Sequence, residues 1–143
     1  MRRSVGIGAL GFALAGLALG ACTPTGSDSG NGAIYRAWRS GRSHFEATAD
    51  GAVARILGTR EGPSGRHEGF LVHLTGSAGG GLTVRVEDNV DLTGPIPLQD
   101  GEPVEVRGEY IYDSRGGLLH WTHRDPAGRH AAGYVRVDGR YFQ

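Results

Sequence analysis

The chain has 143 residues, with 15 arginines, no lysine, 15 acidic residues and one cysteine. A neutral balance argues against general nucleic-acid binding, which draws its affinity from net positive charge. A lone cysteine excludes an intramolecular disulfide framework, and the length suits one domain with a modest core.

The first element in chain order is an address. Arg2 and Arg3 precede an apolar, glycine-broken stretch over 5–21 in "MRRSVGIGALGFALAGLALGAC". That pattern reads as an export signal, too short and too rich in glycine for a membrane span. It ends in "LGAC", which matches a bacterial lipobox, in which small residues precede the cysteine to be lipidated. Residues 1–21 are therefore read as a lipoprotein signal peptide and Cys22 as the lipidation site. The alternative is an ordinary secretory signal with an incidental thiol. A lipid on Cys22 would anchor an exported protein to the bacterial cell envelope without crossing the bilayer. Loss of Arg2 and Arg3 with the signal would turn the neutral balance to a net charge of −2.

Residues 22–32, "CTPTGSDSGNG", read as a flexible tether, and 33–143 as a single domain. "AIYRAWRSG" opens that domain with a short helix. Ile34, Ala37 and Trp38 share one face, Asn31 is the candidate N-cap and Gly41 the stop. Strands are expected at 52–59, 67–75, 82–88, 103–113 and 118–123, with a long two-proline connector at 89–102. The clearest alternation has Leu82, Val84 and Val86 inward and Thr83, Arg85 and Glu87 outward. Tyr134, Val135 and Val137 form a last strand, and Asp138-Gly139 a two-residue hairpin turn that folds Arg140 and Tyr141 back as an edge-protecting cap. The fold class is mainly β. The template is a small five-stranded OB-like β-barrel with one short N-terminal helix and a C-terminal hairpin, and a β-sandwich is the runner-up.

The segment "GGLLHWTHRDPAGRH", 116–130, carries three of the six histidines. "DPAG" has the composition of a type I turn. Closing it would oppose His123 to His130 at a spacing where two imidazoles can share a metal ion or clamp an anion. Strand alternation would put Trp121 on the face of His123, and His120 and Thr122 on the other, unless a bulge re-aims them. A further metal donor would come from His67, Asp88, His120 or Asp125. "GRHEG" and "GRHAAG" each present Gly-Arg-His, so Arg66 and Arg129 could fork an anion at one barrel rim. His73 and His44 carry no such signal.

"SGRHEGF", "DNVDL..PIPL", "GEY" and "GGLLHWTHRDPAGRHAAGYV" together resemble a family of small exported bacterial proteins catalogued as a domain of unknown function, numbered thirty-four sixty-five. The resemblance spans 45–143 and rests on Gly65, Arg66, His67, Asn89, Asp91, Gly108, His120, Trp121, Thr122, His123, Asp125, Pro126, His130 and Gly133. It implies an OB-like barrel and no activity. Asp88 and Arg124 stand where the family often has histidine. Asp88 could substitute as an oxygen ligand; Arg124, with no lone pair, could not.

Three functional readings stay open. The leading one is a lipid-anchored envelope protein binding a metal ion, such as zinc, or a small anionic ligand. His67, His123, His130 and Asp88 would hold the metal, Arg66 and Arg129 the anion, and Trp121 would wall the site. The second is a metal-dependent phosphodiesterase or nuclease with His120 or Asp125 as base and Arg129 steadying the transition state. The third is a structural envelope protein whose histidines only bond backbone. No protein partner is implied.

Overall fold

The computed structural model describes residues 30–76 and 80–143. The signal, Cys22 and the tether up to residue 29 lie outside them.

Helix α1 runs Asn31–Ser40, so it begins two residues before the end of the segment expected as a tether. It buries Ala33, Ile34 and Ala37 and stops at Gly41, which is left-handed with φ 73°. Asn31 is not the N-cap; Gly30 is. Asn31 instead fastens the helix to the barrel. Its Nδ2 donates to Asp50 O at 2.7 Å and Thr75 O at 2.9 Å, and its Oδ1 accepts from Asp50 N–H at 2.9 Å.

Seven strands follow: β1 (Phe45–Gly62), β2 (Gly65–Leu74), β3 (Thr83–Asn89), β4 (Pro103–Ile111), β5 (Leu118–His120), β6 (Tyr134–Val137) and β7 (Arg140–Phe142). A single-turn helix, α2 (Val90–Thr93), leaves β3, with the Asn89 side chain accepting from Asp91 N–H. Strand β1 starts well before the predicted residue 52 and does two jobs. Its first half pairs with β4, Phe45↔Tyr110 to Ala52↔Pro103. From Gly51 onward it pairs with β2. Irregularities between Val53/Arg55 and Ile56/Gly58 bend it between the two partners, as bulges do.

The other pairings close a ring. β2 pairs antiparallel with β3, β3 parallel with β5, and β5 antiparallel with β4. The order β1-β2-β3-β5-β4 and back to β1 is that of an OB-like barrel. Val53, Phe70, Val72, Val84, Val86, Val106, Tyr110 and Leu119 fill it, all nearly inaccessible. Ile34 of α1 joins this core and Trp38 packs half-buried against it.

Strand β5 is only three residues long, so it covers only the end of its β4 edge. Strand β6 takes the rest, from Val104↔Val137 to Arg107↔Tyr134. The C-terminal hairpin is therefore part of the barrel wall and not only an edge cap: Val135, Val137 and Phe142 are core residues.

Candidate functional site

The β1–β2 hairpin, the end of β3 and the loop after β5 enclose an open groove of about 1000 Å³. His67, His120, Trp121, His123, Arg129 and His130 all line it. The sequence thus names the histidines and the tryptophan of this groove, though the geometry differs from a simple hairpin.

β5 ends at His120 because Trp121 leaves the extended region, with φ 55°. Strand alternation breaks there. His120 and Trp121 now stack at 4.6 Å between ring centroids, and His130 stacks on Trp121 at 4.7 Å, 7° from parallel. Two imidazoles thus stack on one indole. Thr122 turns inward and is fully buried, donating to Asp88 Oδ1 at 2.6 Å. The expectation of Trp121 with His123, and His120 with Thr122, is corrected by this single left-handed residue.

The "DPAG" turn does form: Gly128 N–H donates to Asp125 O at 3.0 Å. It brings His123 and His130 together, with ring centroids 5.0 Å apart and planes at 82°. They meet across an irregular loop, not across paired strands. Asp125 builds that loop. Its carboxylate accepts from Ala127 N–H at 2.9 Å, Arg129 N–H at 2.7 Å and Arg129 Nε at 3.0 Å. The Arg129 guanidinium and these backbone donors hold its pKa well below the usual carboxylate range. A carboxylate so occupied is a poor general base.

The two Gly-Arg-His segments share a construction. In each, one aspartate accepts from both the backbone N–H and the Nε of the arginine. Asp91 holds Arg66 at 2.8 and 3.0 Å, as Asp125 holds Arg129. Arg129 borders the groove; Arg66 does not. Both arginines expected to hold an anion are thus already neutralised.

Ring protons are placed by backbone. His67 Nδ1 lies 2.9 Å from Gly65 O, His123 Nδ1 2.8 Å from Arg124 O and His130 Nδ1 2.8 Å from Ala131 O. A carbonyl only accepts, so each Nδ1 carries the proton and each neutral ring has its lone pair on Nε2. Ser64 Oγ donates weakly to His67 Nε2, at 3.3 Å. His120 is different: its Nε2 meets Glu109 Oε2 at 2.7 Å, and Glu109 Oε1 meets His44 Nδ1 at 3.2 Å.

Asp88 is not exposed in the groove. It is fully buried beneath it, with Thr122 on Oδ1 and Thr93 on Oδ2, the latter at 2.5 Å. Burial pushes its pKa up, against the two hydroxyl donors. Among the described residues no three His, Cys, Asp or Glu side chains stand where they could hold one metal ion.

Two acidic residues were not singled out from sequence. Glu109 orients His120. Glu87 faces outward on β3 as alternation requires, yet is only 7% exposed and borders the groove. Its Oε1 accepts from Arg85 Nε at 2.6 Å and Arg60 Nη2 at 3.0 Å, while its Oε2 is buried without a hydrogen-bond partner. In the structure it stands opposite Gly69, where the missing side chain leaves it room.

The family described as "Protein of unknown function (DUF3465)" matches residues 17–143, and the chain belongs to it. No curated protein matches. Among solved structures, the small single-stranded DNA-binding protein from Streptomyces coelicolor is similar, at 21% identity and a TM-score of 0.46, over 66% of this chain and 93% of that one.

Proposed function

We propose that this protein is a ligand-binding module, exported and lipid-anchored through Cys22, whose groove takes a transition-metal ion on the pair His123 and His130. One observation carries the reading: these two imidazoles, 5.0 Å apart between ring centroids, each donate Nδ1–H to a backbone carbonyl and keep Nε2 free. That is how metal-binding histidines are ordinarily prepared, with the second nitrogen fixing tautomer and ring direction. The remaining coordination positions would fall to water or to an incoming ligand, since zinc takes four.

The anionic-ligand form of the reading has less support, because Arg66 and Arg129 each have a carboxylate partner. Base stacking on Trp121 has less support too. Its indole already carries two stacked rings, His120 and His130. Trp121 serves as the strut that fixes His130.

Protein purified without a polyhistidine tag is titrated with zinc(II), nickel(II) and copper(II) by calorimetry, with elemental analysis of the product. One ion per chain is expected. His123→Ala and His130→Ala should each weaken binding by at least about tenfold. Affinity should fall on acidification, as protons compete for Nε2. Equal metal uptake by the wild type and a His123/His130 double alanine variant would refute the assignment.

A further inference from the structure

We infer that the outer face of α1, with the turn after β4, is a membrane-docking surface that lays the barrel on an anionic phospholipid bilayer with the groove turned away. It rests on the lipid anchor at Cys22 proposed above, and not on a metal at the histidines.

Charge is the starting point. The chain as a whole is balanced, with 15 basic and 15 acidic residues, but residues 30–45 hold three arginines and no acidic residue. Arg36, Arg39 and Arg42 are all exposed. The helix turns Ala33, Ile34 and Ala37 to the core, so Arg36 and Arg39, about one turn apart, share the face that points away from the barrel. The acidic groups beside this surface already have partners. Asp113 meets Arg115 at 3.4 Å, and Glu109 meets His44 at 3.2 Å.

Aromatic rings border the arginines. Tyr35 is 37% exposed and Tyr112 40%. Half-buried Trp38 lies 6.1 Å from Tyr35 and donates Nε1–H to Ser114 O at 3.3 Å, which joins the helix to the turn after β4. Tyr112 N–H donates to Ser43 Oγ at 2.7 Å, just past the helix. Arginine with tyrosine and tryptophan suits a surface that meets phospholipid: guanidiniums pair with phosphates, and amphipathic rings rest at headgroup level.

Chain length selects the occupant. Residues 23–29 separate Cys22 from Gly30, the N-cap of α1. A fully extended chain spans at most about 3.6 Å per residue, so α1 starts within about 30 Å of a lipid on Cys22. The bilayer is the surface that covalent linkage keeps in reach. Each arginine beside an anionic bilayer favours contact by about fivefold, so three favour it by roughly a hundredfold. Orientation then follows from the fold. Asn31 fastens α1 to Asp50 and Thr75, at the end of β2, while the hairpin lip of the groove lies at the start of β2. That ten-residue strand separates them by about 30 Å. With α1 on the bilayer, the groove faces the aqueous phase, where a dissolved ion can reach it.

The test takes residues 22–143, which retain every described residue, and couples Cys22, the only cysteine, to a maleimide lipid in nanodiscs. Anchoring is thereby independent of how the cell modifies Cys22. A gadolinium-chelate headgroup in the discs broadens amide signals near the bilayer. On phosphatidylcholine discs containing about one-third phosphatidylglycerol, signals of 35–42 should broaden at least about threefold more than those of His67 and 123–130. High salt, which screens the attraction, should remove the difference, as should the combined Arg36→Gln, Arg39→Gln and Arg42→Gln variant. Retained spectral dispersion shows that the variant folds; if it does not, neutral discs and high salt decide with the wild type. Equal broadening of the two regions on anionic discs overturns the inference. So does the same bias on pure phosphatidylcholine discs, in high salt or in the folded triple variant. Mass spectrometry of protein purified from membranes reports the lipid separately: a bare Cys22 overturns the anchor, so the two failures are told apart.

Discussion

Trp121 places a bulky aromatic at φ 55°, a conformation that costs an L-residue about 1–2 kcal/mol. The stack of His120, Trp121 and His130 holds it there. A reversal of the usual helix and strand preference follows. Trp121→Gly should be more stable than Trp121→Ala by about 1 kcal/mol, since glycine adopts that backbone without strain. Urea unfolding of the pair checks this, and equal midpoints would remove the strain from the account. Two aspartates nearby make opposite predictions with pH. Burial raises Asp88 above 3.8, with the Thr122 and Thr93 bonds opposing. The unfolded chain therefore ionises first, and this contribution to stability is lost as pH rises from 3.8 through the raised folded value. Asp125 is lowered by Arg129 and its backbone donors, so its contribution is present above 3.8 and is lost as pH falls through the depressed folded value. Urea midpoints measured across pH should show Asp88→Asn flattening the loss on the rising side and Asp125→Asn flattening the acid side.

At the scale of elements, legibility followed burial. Strands β2, β3 and β4 were placed within two residues at each end because each buries alternate side chains against one core. Strand β1 was found only in its middle. The part missed at its start, 45–51, does alternate, but its buried positions are Ala47, Ala49 and Gly51, too small to mark an apolar face. The Asp138-Gly139 hairpin was legible because its chemistry is local: both residues take positive φ, 47° and 74°. The groove was half legible. Sequence order brought His123 to His130 through the turn, but no periodicity reports a left-handed tryptophan, and Glu87 looked like any outward strand residue. The loop after β5 is held by close backbone approach at Gly133. A Cβ there would lie 2.1 Å from Trp121 O and 2.5 Å from Arg107 O, both backbone atoms. Gly128, in the same loop, has nothing within 4 Å. Gly133→Ala should cost about 1–3 kcal/mol or more, in the range of overpacking, and weaken metal binding with it. Gly128→Ala, at φ 65°, should cost about 1 kcal/mol. Comparable losses from both would show that crowding at Gly133 is not what sets the loop.

For the whole molecule, the question is what closes the barrel. The β3–β5 seam rests on two residue pairs, Arg85↔Leu118 and Val86↔Leu119. Most of the remaining β4 edge is taken by β6, which brings Val135 and Val137 into the core, with Phe142 from β7 behind them. Burying each such side chain is worth about 1.5–3 kcal/mol, so the three together, about 4.5–9 kcal/mol, match the lower part of the roughly 5–15 kcal/mol that stabilises a typical domain. A hairpin that merely protected an edge could be removed at little cost. Truncation after Gly133 should instead leave a chain without a cooperative unfolding transition, while a fragment starting at residue 30, which keeps α1 and every strand, should unfold in one step. Circular dichroism melts of the two fragments separate the cases. A sharp transition in the chain ending at Gly133 would mean that the ring of β1 to β5 is sufficient, and that the hairpin contributes little to the core it lines.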